Sequence, residues 1–125
     1  LYKSTKFKKE QVIKCGLYDC HDDYFIAYKA NINNPDERTK MALAAYNGGI
    51  GHVFDAIALT EKYGGDKEVW EGNVERYLQL KRLEQYYSDP VCKNGYFRAD
   101  ETIKYVRDVI DRWEIYKKSL SLPSV

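Results

Sequence analysis

Tyr46 and Asn47 place a phenol and a carboxamide side by side, with Ala44-Ala45 ahead of them and Gly48-Gly49 behind. A carboxamide offers both a donor and an acceptor, and flanking glycines let a ligand or a second backbone come close. The chemistry available here is recognition of a polar ligand by hydrogen bonding at a helix end. The same residues also describe an ordinary helix C-terminus, where Asn or Gly takes the left-handed conformation. Residue types alone leave both readings open.

Other chemistries find less support. Gly49-Ile50-Gly51 begins like a dinucleotide fingerprint, but Phe54 stands where the third glycine belongs and a helical pattern precedes it. A phosphate cradle of that kind needs a strand before the turn, so it is excluded. His21, Asp22 and Asp23 are adjacent and cannot share a helix face, and His52 has no partner at helical spacing. Both histidines read as solvated or capping, and neither a metal site nor a cofactor is expected. Cys15, Cys20 and Cys92 lack metal-ligand spacing, and their odd number leaves at least one thiol unpaired. Ordinary buried or half-buried thiols are expected, with one disulfide open in an oxidising compartment. Lys3, Lys6, Lys8 and Lys9 read as a solvated helix start, with a weak anion-binding patch as the lesser reading.

The composition bounds what carries these residues. The chain has 125 residues, 44% hydrophobic and 31% charged, which suits one globular domain with its own core. Lys and Arg number 20 against 19 Asp and Glu, a net charge of +1, so the electrostatic footprint of a nucleic-acid binder is absent. The longest apolar run, Met41 to Tyr46, is too short to cross a bilayer. The chain opens Leu1-Tyr2-Lys3 without a Met or a signal-peptide pattern, and is expected to be a mature or trimmed piece of a longer one. Twelve tyrosines suit either a surface for amphipathic ligands such as sugars or a Tyr-rich core rim.

Helical spacing dominates, and nothing alternates like a strand. A first helix is predicted from about Lys8 to Lys29, broken by 31–34. A second runs from Pro35 to about Tyr46, with Asn34 as cap, Pro35 in the first turn and Glu37 placed to close a capping box. Its Ala42, Ala44 and Ala45 suggest a central helix with close neighbours. A third helix covers about His52 to Tyr63, with Val53, Phe54 and Ile57 inward and Gly64-Gly65 as its stop. Asp66 can cap a short turn through Trp70. Further helices are predicted over about Val74–Tyr87 and Asp100–Lys118, followed by a frayed tail from Ser119. In the last helix Ile103, Val106, Ile110 and Trp113 form one stripe, and Tyr105, Val109, Arg112 and Tyr116 the next. The expected architecture is all-α, with five or six helices in one domain spanning 1–125.

Ala44-Ala45-Tyr46-Asn47-Gly48-Gly49 followed by Gly51-His52-Val53 resembles the AYNxG…HV motif of the lytic murein transglycosylases, in particular the catalytic domain of the membrane-bound F group. Glu10-Gln11-Val12-Ile13 through Asp23-Tyr24-Phe25, then Asn34-Pro35-Asp36-Glu37-Arg38, then Gly95-Tyr96-Phe97-Arg98 with Glu101-Thr102 and Tyr105-Val106, resemble further segments of that family in the same order. The resemblance covers roughly residues 7 to 118. It implies a lysozyme-like helical fold that cleaves the β-1,4 bond between N-acetylmuramic acid and N-acetylglucosamine in peptidoglycan. The muramyl 6-hydroxyl captures the intermediate, giving a 1,6-anhydro product. One glutamate serves as acid and then base, unlike the carboxylate pair of most glycosidases; it must start protonated, as burial allows.

The family places that glutamate in an ES motif followed by a GLMQ-like loop, and neither occurs here; Glu10 precedes Gln11 and matches a later helix. The chain is therefore expected to be the larger, C-terminal part of such a domain, inactive alone, with a non-catalytic glycan-binding or assembly module and a purely structural helical domain as the alternatives. Carried over by motif, Tyr46, Asn47, Gly48 and Gly49 would contact substrate, Tyr105 would support the absent acid, and Glu101 and Thr102 would be structural. Tyr46, Asn47 and Tyr105 should then share one groove, while Ala42 and Ala45 should lie on an open apolar face awaiting the missing segment. The implied partners are peptidoglycan glycan strands and that N-terminal segment. The implied setting is the bacterial envelope, periplasmic or associated with the outer membrane.

Overall fold

A computed structural model describes residues 20–121. Its helices are α1 (Cys20–Lys29), α2 (Pro35–Gly48), α3 (Ile50–Lys62), α4 (Glu75–Leu80), α5 (Glu84–Tyr87) and α6 (Asp100–Ser121), with a wide turn at Trp70–Val74 before α4. No strand occurs among the described residues. The structure is thus all-α, in keeping with a lysozyme-like helical domain. The expected first helix is seen from Cys20; its earlier part, with Glu10, Cys15 and the lysine run, lies outside the described residues. None of the described helices is long and apolar enough to cross a membrane.

Helix α2 is the centre of the molecule, packed against α1, α3, α6 and the Trp70–Val74 turn. Its start follows from sequence: Asn34 Oδ1 accepts from the N–H groups of Asp36 (3.0 Å) and Glu37 (3.3 Å), with Pro35 in the first turn. The predicted capping box does not form. Glu37 instead accepts from the Trp70 N–H at 2.7 Å and pairs with Lys40 at 3.2 Å, while the N–H groups of Asn33 and Asn34 go to Glu68. A carboxylate placed to cap its own helix is used here to fasten the Trp70 turn onto it.

Residues Met41 to Ala45 are all buried, so α2 is covered on every side. Ala42 and Ala45 do not lie on an open apolar face: they are 0% and 4% exposed. Small side chains let the surrounding helices close over them, and the core continues through Ile26, Val53, Leu78 and Val106. Each large aliphatic side chain taken from water in this way contributes about 1.5–3 kcal/mol.

Several boundaries differ from the sequence reading. Helix α2 continues to Gly48, and Gly49 (φ +108°) alone forms the joint with α3, its N–H reaching Ala45 O at 2.8 Å. The predicted helix Val74–Tyr87 is broken after Leu80. There the chain turns so that Lys81 points into the core, and its carbonyl accepts from the Phe97 N–H at 3.2 Å. Helix α6 buries Ile103, Val106, Val109 and Trp113, leaves Ile110 at the core margin, and continues to Ser121 where fraying was expected.

Candidate functional site

The end of α2 meets the first turns of α6. Asn47, in the last turn of α2, is exposed, and its Oδ1 accepts from the Thr102 hydroxyl at 2.7 Å across 55 residues of sequence. That bond occupies the acceptor end of the carboxamide and leaves the Nδ2 donors outward. Tyr46 is 58% exposed and lies 6.4 Å from Tyr105, centroid to centroid, with the rings 29° apart. Offset pairs at this distance are favourable. Burial, together with the neighbouring Tyr46, raises the Tyr105 phenol above its ordinary pKa, so it stays protonated as a donor.

Gly48 makes this meeting close enough. A Cβ there would stand 2.6 Å from Phe97 Cζ and 2.9 Å from Thr102 Oγ1. Its bare backbone admits the loop before α6, and Gly51 admits Asn94 in the same way, at 2.5 Å from a Cβ. The predicted residues Tyr46, Asn47 and Tyr105 therefore converge on one exposed edge, with Gly48 beneath it and Gly49 beside it. Thr102, read from sequence as structural, sets the direction of Asn47.

Sequence reasoning missed the polar cluster behind this edge. Lys81 is fully buried, and its ammonium donates to Asp55 Oδ2 and to His52 Nδ1, each at 2.7 Å. Asp55 also accepts from the N–H groups of Lys93 and Asn94, both at 2.9 Å, which ties the loop before α6 onto α3. Burial works to raise the Asp55 carboxyl, but the Lys81 hydrogen bond and these N–H groups outweigh it and hold it below the usual range. Burial, then the charge of Lys81, lowers the His52 imidazole, against the opposing pull of Asp55. His52, expected to be solvated or capping, is half-buried and bonded to a residue 29 positions away. Its ring also stacks on Phe97 at 4.3 Å. Periodicity gives no signal for such a pair; a lysine interrupting the apolar pattern after Leu80 was the available hint.

A second ionic centre lies on the outer side of the same loop. Asp89 accepts from Lys62 (2.8 Å), Tyr63 (2.8 Å) and the Val91 N–H (3.0 Å), and these hold its carboxyl down at about 2. Cys92 is a free thiol, half-buried, with Sγ 3.3 Å from Tyr86 O; burial and the Asp55 charge push it up to about 11, which makes it inert. No metal-holding cluster of three His, Cys, Asp or Glu occurs among the described residues. A recess of about 250 Å³ between α2, the Trp70 turn and α6 is lined by Lys40, Glu71, Glu75 and Arg107 among others. In it Lys40 is already engaged by Glu37 and Glu71.

The described fold is all-helical, and relatives bear out the motif resemblance: the chain is related in sequence to the lytic murein transglycosylases. The relatives are named membrane-bound lytic murein transglycosylase F. That of Cellvibrio japonicus (strain Ueda107) is 40% identical, over 71% of this chain and 18% of its own length. That of Alteromonas mediterranea is 44% identical, over 64% of this chain and 16% of its own length. That of Pasteurella multocida (strain Pm70) is 39% identical, over 80% of this chain and 19% of its own length. The chain thus spans less than a fifth of these curated relatives. No family model matches it.

Proposed function

We propose that the chain is the glycan-binding part of a peptidoglycan lytic transglycosylase domain, working in the bacterial envelope. The observation that carries this reading is the convergence of Tyr46, Asn47 and Tyr105 on one exposed edge, with Thr102 orienting the amide. An N-acetylated sugar presents apolar ring faces and carbonyl acceptors. Tyr46 offers the face and Asn47 Nδ2 the donor, with the Tyr105 ring packed beside Tyr46. In the whole domain this edge would hold the MurNAc–GlcNAc bond against a glutamate acid, and the muramyl 6-hydroxyl would close the 1,6-anhydro ring.

The chain alone binds without cleaving. A general acid working near neutral pH needs a carboxyl pushed upward, and protonating the leaving group is worth roughly 10²–10⁴-fold. The described carboxyls whose acidity the fold changes, Asp55, Asp89 and Asp108, are all held low. Co-sedimentation with purified peptidoglycan sacculi, with analysis of the soluble products, tests both halves. The chain is expected to pellet with the sacculi, to release no 1,6-anhydromuramyl products, and to lose about tenfold in affinity on combined Tyr46→Ala and Asn47→Ala substitution. Sacculi that fail to retain it, or retain the double variant equally, overturn the binding reading. Anhydro products from a clean preparation would place an acid in the chain.

A further inference from the structure

Behind the Tyr46–Asn47 edge lies a histidine whose hydrogen-bonding direction is fixed from within. Lys81 Nζ stands 2.7 Å from His52 Nδ1. An ammonium carries only donors, so Nδ1 must present its lone pair. The imidazole is then neutral, with its proton on Nε2. Lys81 itself is fully buried and held at 2.7 Å by Asp55, which two backbone N–H groups fix in turn. The direction of the ring therefore rests on a chain of bonds anchored in the core.

The outer edge of the ring is free to act. No buried polar side-chain atom among the described residues lacks a partner, and Nε2 of the half-buried His52 has none among those residues, so it reaches solvent. Its surroundings are those of the edge already described. His52 stacks on Phe97, whose ring is the one that closes on Gly48, and a Cβ at Gly49 would meet His52 Cδ2, the carbon next to Nε2, at 3.7 Å. Gly48 and Gly49 directly follow Asn47. A solvated or structural histidine needs no buried cation to choose its tautomer; a ligand-binding one gains from it, because a donor fixed before binding loses little freedom on binding.

We propose that His52 is a positioning residue for the glycan, its ring locked by Lys81 and Asp55 so that Nε2–H donates to an acceptor oxygen of a bound N-acetylated sugar. The assignment rests on the reading of the Tyr46–Asn47 edge as the glycan site and extends it by one sugar contact. Asn47 and His52 would then supply donors on either side of Gly48-Gly49, which suits a carbonyl- and hydroxyl-rich ligand and disfavours a cationic one.

Two measurements test it. The first needs no ligand: ¹⁵N-detected NMR of the imidazoles at neutral pH. His52 is expected as the Nε2–H tautomer, and Lys81→Met should return it to a tautomer mixture. A dominant Nδ1–H form in the unsubstituted chain overturns the proposal. The second is calorimetric titration with N-acetylchitotetraose. His52→Phe keeps a ring on Phe97 and removes the donor, so it should weaken binding about five- to tenfold. His52→Gln, which can accept from Lys81 and donate outward, should recover most of that loss. If Asn47→Ala weakens binding and His52→Phe, shown to be folded by its NMR spectrum, does not, the His52 assignment fails while the glycan site stands. If the unsubstituted chain binds no oligosaccharide, the site reading fails and takes this assignment with it.

Discussion

The Thr102 hydroxyl donates to Asn47 Oδ1 at 2.7 Å, and that one bond turns the carboxamide so that its donors face outward. Thr102 is itself 3% exposed, so its direction is set by the packing of α6. Replacing it with valine keeps the shape and removes the bond. Asn47 is exposed, so water can satisfy the freed oxygen and the fold should lose only about 1 kcal/mol. Binding should suffer more clearly, by about three- to tenfold, because the amide can then rotate. Calorimetry with a chitooligosaccharide, beside a thermal melt of the same variant, separates the two effects. Equal affinity for Thr102→Val and the unsubstituted chain would show that Asn47 needs no orienting partner.

The joint between α2 and α6 depends on Gly48 having no side chain. Phe97 cannot retreat freely from an added methyl because its ring is stacked on His52, and Thr102 is held by Asn47. Overpacking of this kind costs about 1–3 kcal/mol, against ~1 kcal/mol gained when alanine replaces a helical glycine. Gly48→Ala should therefore lower stability in urea unfolding by up to about 2 kcal/mol, and a stabilised variant would contradict the packing. The loop between α5 and α6 is fastened to α3 by two carboxylates, and its acid response follows. The folded pKa of Asp89, about 2, lies below its unfolded value of 3.8. Its contribution is therefore complete above 3.8 and is lost as pH falls towards about 2. Asp55 is shifted in the same direction and adds to the same acid limb. Asp89→Asn should flatten that limb in pH-dependent melts; an unchanged limb would mean the Lys62 and Tyr63 bonds do not persist in solution.

What the sequence disclosed at this scale were the features with local or periodic signatures. The Asn34 cap, the Gly64-Gly65 stop and the α6 stripe all depend on residues a few positions apart. The meeting of Tyr46, Asn47 and Tyr105 was legible only through the motif resemblance, since nothing in the spacing links residue 47 to residue 102. The Lys81–Asp55–His52 cluster was not legible, because a buried ion pair has no period and its members lie 26 and 29 residues apart. Glu37 misled because capping box and tertiary anchor demand the same residue at the same place. Ala42 and Ala45 misled because small residues mark a close neighbour without saying which, and the helices packed around α2 supply that cover.

Taken whole, the described residues form a core built around α2, with a polar and aromatic edge at one helix junction and a charged recess of about 250 Å³ beside the Trp70 turn. These two surfaces are separate candidates for a ligand, and they involve different residues, so a residue-resolved map distinguishes them. The central claim is that the glycan strand lies along the Tyr46–Asn47–Tyr105 edge. The most direct test is a ¹H–¹⁵N NMR titration of the chain with soluble glycan strands released from peptidoglycan. The account predicts saturable shifts centred on Tyr46, Asn47, Gly48, Gly49, Thr102 and Tyr105. Shifts centred instead on Lys40, Glu71 and Arg107, or no saturable shift at all, would contradict it.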